Sequence, residues 1–347
     1  MDLPFTAALC MDEEIGAFFA PAAELQAMLA FEAALADAQA AAGLIPAESA
    51  AAIARCCAAF VPDMPALTVG LHKDGVLGPV FVKALRQTLP VVAQKDLHYG
   101  ATSQDVTDTA LTLRLKPMLA VLDARLGAVL TALDDLAQQQ GHMKIMAQTR
   151  MQAALPITVR DKILAWQQPL HRHRQRLSLL APRLLVIQLG GPVGSRAELG
   201  DKAEAVAAGL AARLGLGNAA CWHSARDNIV EFGAVLALIA GSLGKIGQDA
   251  ALLAQSENGA LKIAGGGASS AMAHKANPVT AELLVALARS TAGLAGTLNQ
   301  AMPHENERSG AGWALEWFVL PSLAMATGAA LREALSLVPR LRFQARL

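Results

Sequence analysis

Aromatic side chains are scarce in this chain. They make up 4% of 347 residues, with a single tyrosine, and charged residues account for only 17%. Lysine plus arginine and aspartate plus glutamate both total 29, so the formal net charge is zero. That excludes the positive excess a nucleic-acid surface needs, and no nucleic-acid partner is expected. Four cysteines, Cys10, Cys56, Cys57 and Cys221, fall in no paired spacing. They argue against a disulfide framework or a metal cluster and are read as reduced thiols of a cytoplasmic protein. The first residues, Met-Asp-Leu-Pro-Phe, put no basic region before an apolar one, so no signal peptide is read. The longest nearly uncharged run, 232–244, is too short to cross a bilayer, so no membrane partner is expected. What is abundant is alanine, within a hydrophobic content of 54%. Small helix-favouring residues point to an all-α fold. An apolar fraction this high suggests helix faces buried between subunits.

Breaks at Pro21, Gly43–Pro46 and residues 61–65, and a glycine-rich stretch at 68–79 read as a loop, divide residues 1–95 into short helices. These are taken as a small N-terminal helical domain, and residues 96–347 as a long-helix bundle domain. Three seams carry the bundle. Leu119, Leu122, Leu126, Val129, Leu133 and Leu136 repeat at 3-4-3-4-3. Ile229, Phe232, Leu236, Ile239, Leu243, Ile246, Ala250 and Leu253 continue the same alternation, as do Leu284, Leu287, Thr291, Leu294 and Leu298. Val235 and Leu238 make the second helix apolar on its other face too, which predicts a buried strut. The turn Leu189-Gly-Gly-Pro-Val-Gly-Ser lacks the GxxxxGK[ST] pattern and follows no βα unit, so it is not a nucleotide-phosphate cradle. His171 and His173, two apart, do not share a helix face, and this basic stretch is read as solvated. Neither a metal site nor a cofactor is implied.

Three separated segments concentrate polar chemistry. In His98-Tyr-Gly-Ala-Thr-Ser-Gln-Asp, Thr102 and Asp105 fit the Ser/Thr-x-x-Asp start of a helix. That leaves Thr102 and Ser103 at an N-terminus, where an anion is favoured. The second segment is Ala147-Gln-Thr-Arg-Met-Gln-Ala-Ala-Leu-Pro-Ile-Thr. The third, residues 265–282, opens with Gly265–Gly267 and runs through Ser269, Ser270, Met272, Lys275, Asn277 and Pro278. Pro278 is expected at the first position of a helix with Asn277 as its cap.

Ser-Ser-x-Met-x-x-Lys-x-Asn-Pro resembles the signature of the fumarase/aspartase superfamily, with Ala273 and Ala276 as departures from its usual pattern. The first segment resembles that superfamily's form in adenylosuccinate lyases and carboxymuconate cycloisomerases. The second matches at Thr149, Gln152, Ala154, Pro156 and Thr158 but has Arg150 where a histidine is usual. The resemblance implies a long-helix bundle of this type, assembled as a homotetramer whose sites are shared between subunits. It also implies a third, small helical domain, for which this sequence has no counterpart after its last helix. The chemistry implied is removal or addition of a proton beside a carboxylate. Ser269 is then the proton-transferring residue, and Lys275 and Asn277 hold the carboxylate. His98, Thr102, Ser103, Thr149, Gln152, Ser270 and Met272 face the substrate, and Arg226 with His223 are further candidate carboxylate binders.

Arg150 bears on the leaving group. An amine leaving group needs a proton donor, and losing the histidine would cost about 10²–10⁴ in rate. A carboxylate leaving group needs none and is better met by a bidentate cation. The activity expected is therefore cycloisomerisation of a small polycarboxylate of the carboxymuconate class. A fumarate-releasing lyase of the adenylosuccinate type is the alternative, and a catalytically silent binding homologue the alternative from another class.

Overall fold

The computed structural model describes residues 5–268, 272 and 276–345. Short helices α1 (Ala7–Cys10) and α2 (Glu13–Ala17) lead into α3 (Pro21–Ala41), α4 (Ala47–Ala59), α5 (Met64–Asp74), α6 (Gly78–Gln87) and α7 (Val91–Gln94). The long α8 (Ser103–Gln140) ends in a hairpin of β1 (Lys144–Thr149) and β2 (Gln152–Thr158). Then come α9 (Val159–Leu184), α10 (Ala203–Leu214) and α11 (Asp227–Leu253). Short strands β3 (Leu261–Ile263), β4 (Gly267–Ala268) and β5 (Ala276–Asn277) precede α12 (Val279–Asn299), α13 (Ala311–Leu337) and β6 (Leu341–Phe343). The architecture is the expected all-α long-helix bundle, with the strands among the described residues confined to small two-stranded pairs.

The seams read from the sequence form the main core. Leu119 to Leu136 of α8 and Ile229 to Leu253 of α11 are buried at each seam position, and Leu284, Leu287 and Leu298 of α12 join them. Gly244 and Gly247 let α12 come close, since a Cβ at either would lie 2.4 Å from Ala288 or 2.5 Å from a backbone oxygen. A second core gathers Met28, Phe31, Leu35, Ile53, Phe81 and Leu85 from the N-terminal helices with Val106 and Ala110 of α8, Ile187 and Leu189, and Val206, Ala207 and Leu210 of α10.

The stretch 68–79 departs from its expected loop. α5 continues to Asp74 because Asp63 caps it, accepting from the Ala66 N–H at 3.0 Å, and Pro65 preorganises its first turn. It ends at Gly75 with φ +68°. His171–Arg176 is only partly a solvated face, since His173 is buried and its Nε2 meets the Ser242 hydroxyl at 2.8 Å. Among the described residues, three helices, Asp227–Leu253, Val279–Asn299 and the run 311–340, are long and apolar enough to cross a membrane by length and composition. This overturns the argument from run length. Much of that apolar surface on the first and third is buried within the chain, whereas most of it on α12 is not.

Candidate active site

The first polar segment folds around Asp105. Thr102 is the N-cap of α8, and its N–H donates to the Asp105 carboxylate at 2.9 Å. The same carboxylate, fully buried, accepts from the N–H groups of Gly190 at 2.7 Å and Gly191 at 2.9 Å, and from Nε2 of His223 at 2.8 Å. One side chain thus fixes the helix start, the glycine-rich turn and the segment that leads into α11 together. A turn that presses so close needs glycine: a Cβ on Gly190 would sit 2.5 Å from the Cys221 sulfur. Ser103 packs against the start of α6, where Gly78 leaves the room. Gln104 donates to the His223 carbonyl and accepts from Arg308 Nε, both near 3 Å.

His223 is held as an imidazolium. Burial pulls its pKa down, but the hydrogen bond and charge of Asp105, with Cys221 beside it, outweigh burial and push it up to about 9 from 6.5. A raised pKa stabilises the fold fully below 6.5, and that contribution is lost as pH rises through about 9. Stability measured by denaturant titration is therefore expected to fall by on the order of 3 kcal/mol between neutral pH and pH above the folded value. A His223→Gln variant should show little of this alkaline loss. Equal losses in both proteins would refute the assignment.

Arg226, expected to bind a substrate carboxylate, is instead committed to internal partners. It is 1% exposed and donates to both oxygens of Asp108 at 2.7 and 3.0 Å and to both of Glu316 at 2.8 and 2.6 Å. Its guanidinium lies 4.6 Å from the Trp222 ring centroid, and Trp313 Nε1 donates to Asp108 at 3.1 Å. His223 is likewise turned inward to Asp105. Both are framework residues that brace the segment carrying Thr102 and Ser103.

His98 is placed by α3. Its Nδ1 lies 2.6 Å from the Glu32 carboxylate, and its backbone takes φ +62°, unusual for a non-glycine residue. Glu32 is the residue that sequence reasoning passed over. Of the three carboxylates on this alanine-rich helix, Glu24, Glu32 and Asp37, it is the buried one, and its place seven residues before the equally buried Gln39, on one helix face, was the available signal.

The other segments lie at the far end of the bundle. The 38 residues of α8 span about 57 Å from Thr102 to the hairpin. The hairpin's two-residue turn is Arg150–Met151, with φ +49° and +65°, where Asn-Gly would be the easy choice. Such backbone costs roughly 1–3 kcal/mol per residue and concentrates at functional sites. Thr149, Arg150 and Gln152 are all exposed on it. The signature segment joins the same end. β3 pairs with β6, the Ala264 N–H donates to the Arg340 carbonyl, and Gln140 at the end of α8 bonds to Leu341 and Phe343. Asn277 does not cap α12: it pairs with Gly267 across β4 and β5, and Pro278 takes the cap position. Met272 is exposed, while Ser269, Ser270 and Lys275 lie outside the described residues. One chain therefore brings His98, Thr102 and Ser103 together at one end, and Thr149, Arg150, Gln152 and Asn277 toward the other.

A lyase family profile matches residues 11–293. The chain belongs to the fumarase/aspartase lyases. It is 43% identical over 336 residues to the 3-carboxy-cis,cis-muconate cycloisomerase of Pseudomonas aeruginosa, covering 95% of this chain and 73% of that one. The corresponding cycloisomerase of Acinetobacter baylyi is 35% identical over 96% of this chain and 76% of its own. Among solved structures, the 3-carboxy-cis,cis-muconate lactonizing enzyme from Pseudomonas putida superposes with a TM-score of 0.91 at 40% identity, covering 98% of this lyase and 77% of that chain. A fumarate lyase from Mesorhizobium sp. BNC1 gives 0.89 at 33%, covering 96% and 76%.

Proposed function

We propose that this lyase-family chain is a 3-carboxy-cis,cis-muconate cycloisomerase, acting on that small tricarboxylate in protocatechuate breakdown. The observation that carries the reading is its likeness to cycloisomerases over nearly its whole length, with Arg150 suiting a carboxylate rather than an amine. In the forward direction an internal carboxylate adds to a ring-closing carbon, and the neighbouring carbon takes a proton. Ser269 is the proposed donor. Negative charge builds on the adjacent carboxylate, and preorganised donors there are usually the largest catalytic contribution. Lys275 and Asn277 are assigned to it, with His98, Thr102 and Ser103 on a second carboxylate. Thr149, Arg150 and Gln152 face the attacking group, and Ser270 and Met272 line the loop. Closure of 265–277 over the substrate would exclude water.

This assignment requires more than one chain, because its parts stand at opposite ends of α8. A homotetramer with shared sites answers that need, and it would cover the exposed apolar face of α12. The division into residues 1–95 and 96–347 is kept as part of this reading: most of the smaller core comes from the N-terminal helices, with additions from α10, from Val106 and Ala110 of α8 and from Ile187 and Leu189. A cytoplasmic location suits four cysteines that are all free thiols.

The test is an absorbance assay of lactone formation from the tricarboxylate diene. No lactone, alongside release of fumarate from adenylosuccinate, would replace this reading with the lyase alternative. Arg150→Lys keeps the charge but loses the planar fork, and is expected to lower kcat/KM by about 10–100-fold. Wild-type turnover in that variant would remove Arg150 from the site.

A further inference from the structure

Residues 97–100 are clamped from several sides. Arg86 donates to the Leu97 carbonyl at 3.2 Å and Gln39 to the Tyr99 carbonyl at 2.6 Å. The Tyr99 hydroxyl donates to the Glu198 carbonyl, and Gly100, at φ +65°, packs so tightly on Leu199 that a Cβ would lie 2.6 Å away. Within this clamp the His98 ring meets Glu32 at 2.6 Å. Glu32 is fully buried, and its second carboxylate oxygen has no hydrogen-bond partner among the described residues. A buried carboxylate left half-satisfied is costly, so its one strong bond has to be worth keeping. The His98 side chain remains 12% exposed, beside the helix start that carries Thr102 and Ser103.

We propose that Glu32 is a positioning residue for substrate binding: its buried carboxylate holds the His98 ring through Nδ1–H, so that Nε2–H is the donor presented to a substrate carboxylate beside Thr102 and Ser103. This rests on the carboxylate-binding role proposed above for His98. A carboxylate behind an imidazole fixes both tautomer and orientation and favours the charged ring. The groups that act on His98 are consistent with that. Burial lowers its pKa and so does Arg86, but Glu32 and Asp105 outweigh them and raise it. A ligand with several carboxylates gains from a charged donor more than from a neutral one. The class of ligand selected is a polycarboxylate.

The experiment measures calorimetric affinity for propane-1,2,3-tricarboxylate, an inert probe, and KM and kcat for the diene. Glu32→Gln keeps the shape and removes the charge. It is expected to weaken probe binding and raise KM by about tenfold or more, with a smaller change in kcat. Affinity should also fall away at lower pH than in the wild type, because without Glu32 the ring loses its proton sooner. In a His98→Gln background the Glu32 change should add nothing. Unchanged affinity and pH dependence, or full additivity with His98→Gln, would overturn the proposal. Glu32→Asp covers the case of a variant that does not assemble: its smaller loss should likewise vanish in the His98→Gln background, and persistence there would overturn it. A wild type that binds the probe but does not turn over the diene would instead refute the cycloisomerase reading and leave the Glu32 comparison intact.

Discussion

Arg226→Met is expected to destabilise the folded chain by about 3–5 kcal/mol at neutral pH, the usual consequence of removing one partner from a buried ion group. Asp108 and Glu316 are each about 1% exposed and would be left facing each other without the guanidinium that holds both. His304, its side chain buried 3.9 Å from Glu316, is a poor substitute: burial, the largest of the causes that lower its pKa, stays when Arg226 and its charge are gone. In the wild type the Glu316 pKa already lies above the usual carboxylate value, because burial and Asp108 outweigh Arg226. An acid raised in the folded state stabilises it below the unfolded pKa and opposes it above. The variant should therefore recover stability as pH falls from neutral toward the ordinary carboxylate range, because Glu316, raised further without the guanidinium, takes up its proton on the way. Denaturant titrations across that range check this. A loss under about 1 kcal/mol, or one independent of pH, would show that the ion group is dispensable.

Asp105→Asn is the milder counterpart. It keeps the shape but can no longer accept from Thr102, Gly190, Gly191 and His223 together. The glycine turn and the α8 start should part by local opening before the bundle unfolds, seen as faster amide exchange at Gly190 and Gly191.

How much of this was legible in the sequence depended on the range of the interaction. The seams through Leu126 and Leu236 are local periodicities, and burial followed them because a helix repeats its face at fixed spacing. The Thr102–Asp105 helix start is a contact three residues long, and it was read correctly. Arg226 was misread because its partners lie 118 and 90 positions away. Nothing near it in the chain separates a buried guanidinium from one awaiting a ligand. Glu32 escaped notice for the same reason, with His98 66 positions off. The cap of α12 moved because Asn277 joined a strand pair, a tertiary choice that overrides local preference. The distance between Thr102 and the hairpin, by contrast, was foreseeable from helix length alone.

That distance supplies the prediction with the largest effect on activity. Ser269→Ala should lower kcat by about 10²–10⁴ while leaving assembly unchanged, since it removes the proposed proton donor and no framework contact is claimed for it. A Thr102→Ala/Ser103→Ala double variant should lose activity through its carboxylate. If the site takes Ser269 and Thr102 from different subunits, the two inactive proteins can repair each other. Unfolded together at equal amounts and refolded, random assortment gives about a quarter of the sites both intact groups. Turnover should then return to about that fraction of wild type, with KM near the wild-type value. A site built within one chain would give no recovery at any mixing ratio, because every chain would carry a lesion. The geometry makes the two outcomes exclusive: a helix about 57 Å long cannot bring its own two ends onto one small tricarboxylate.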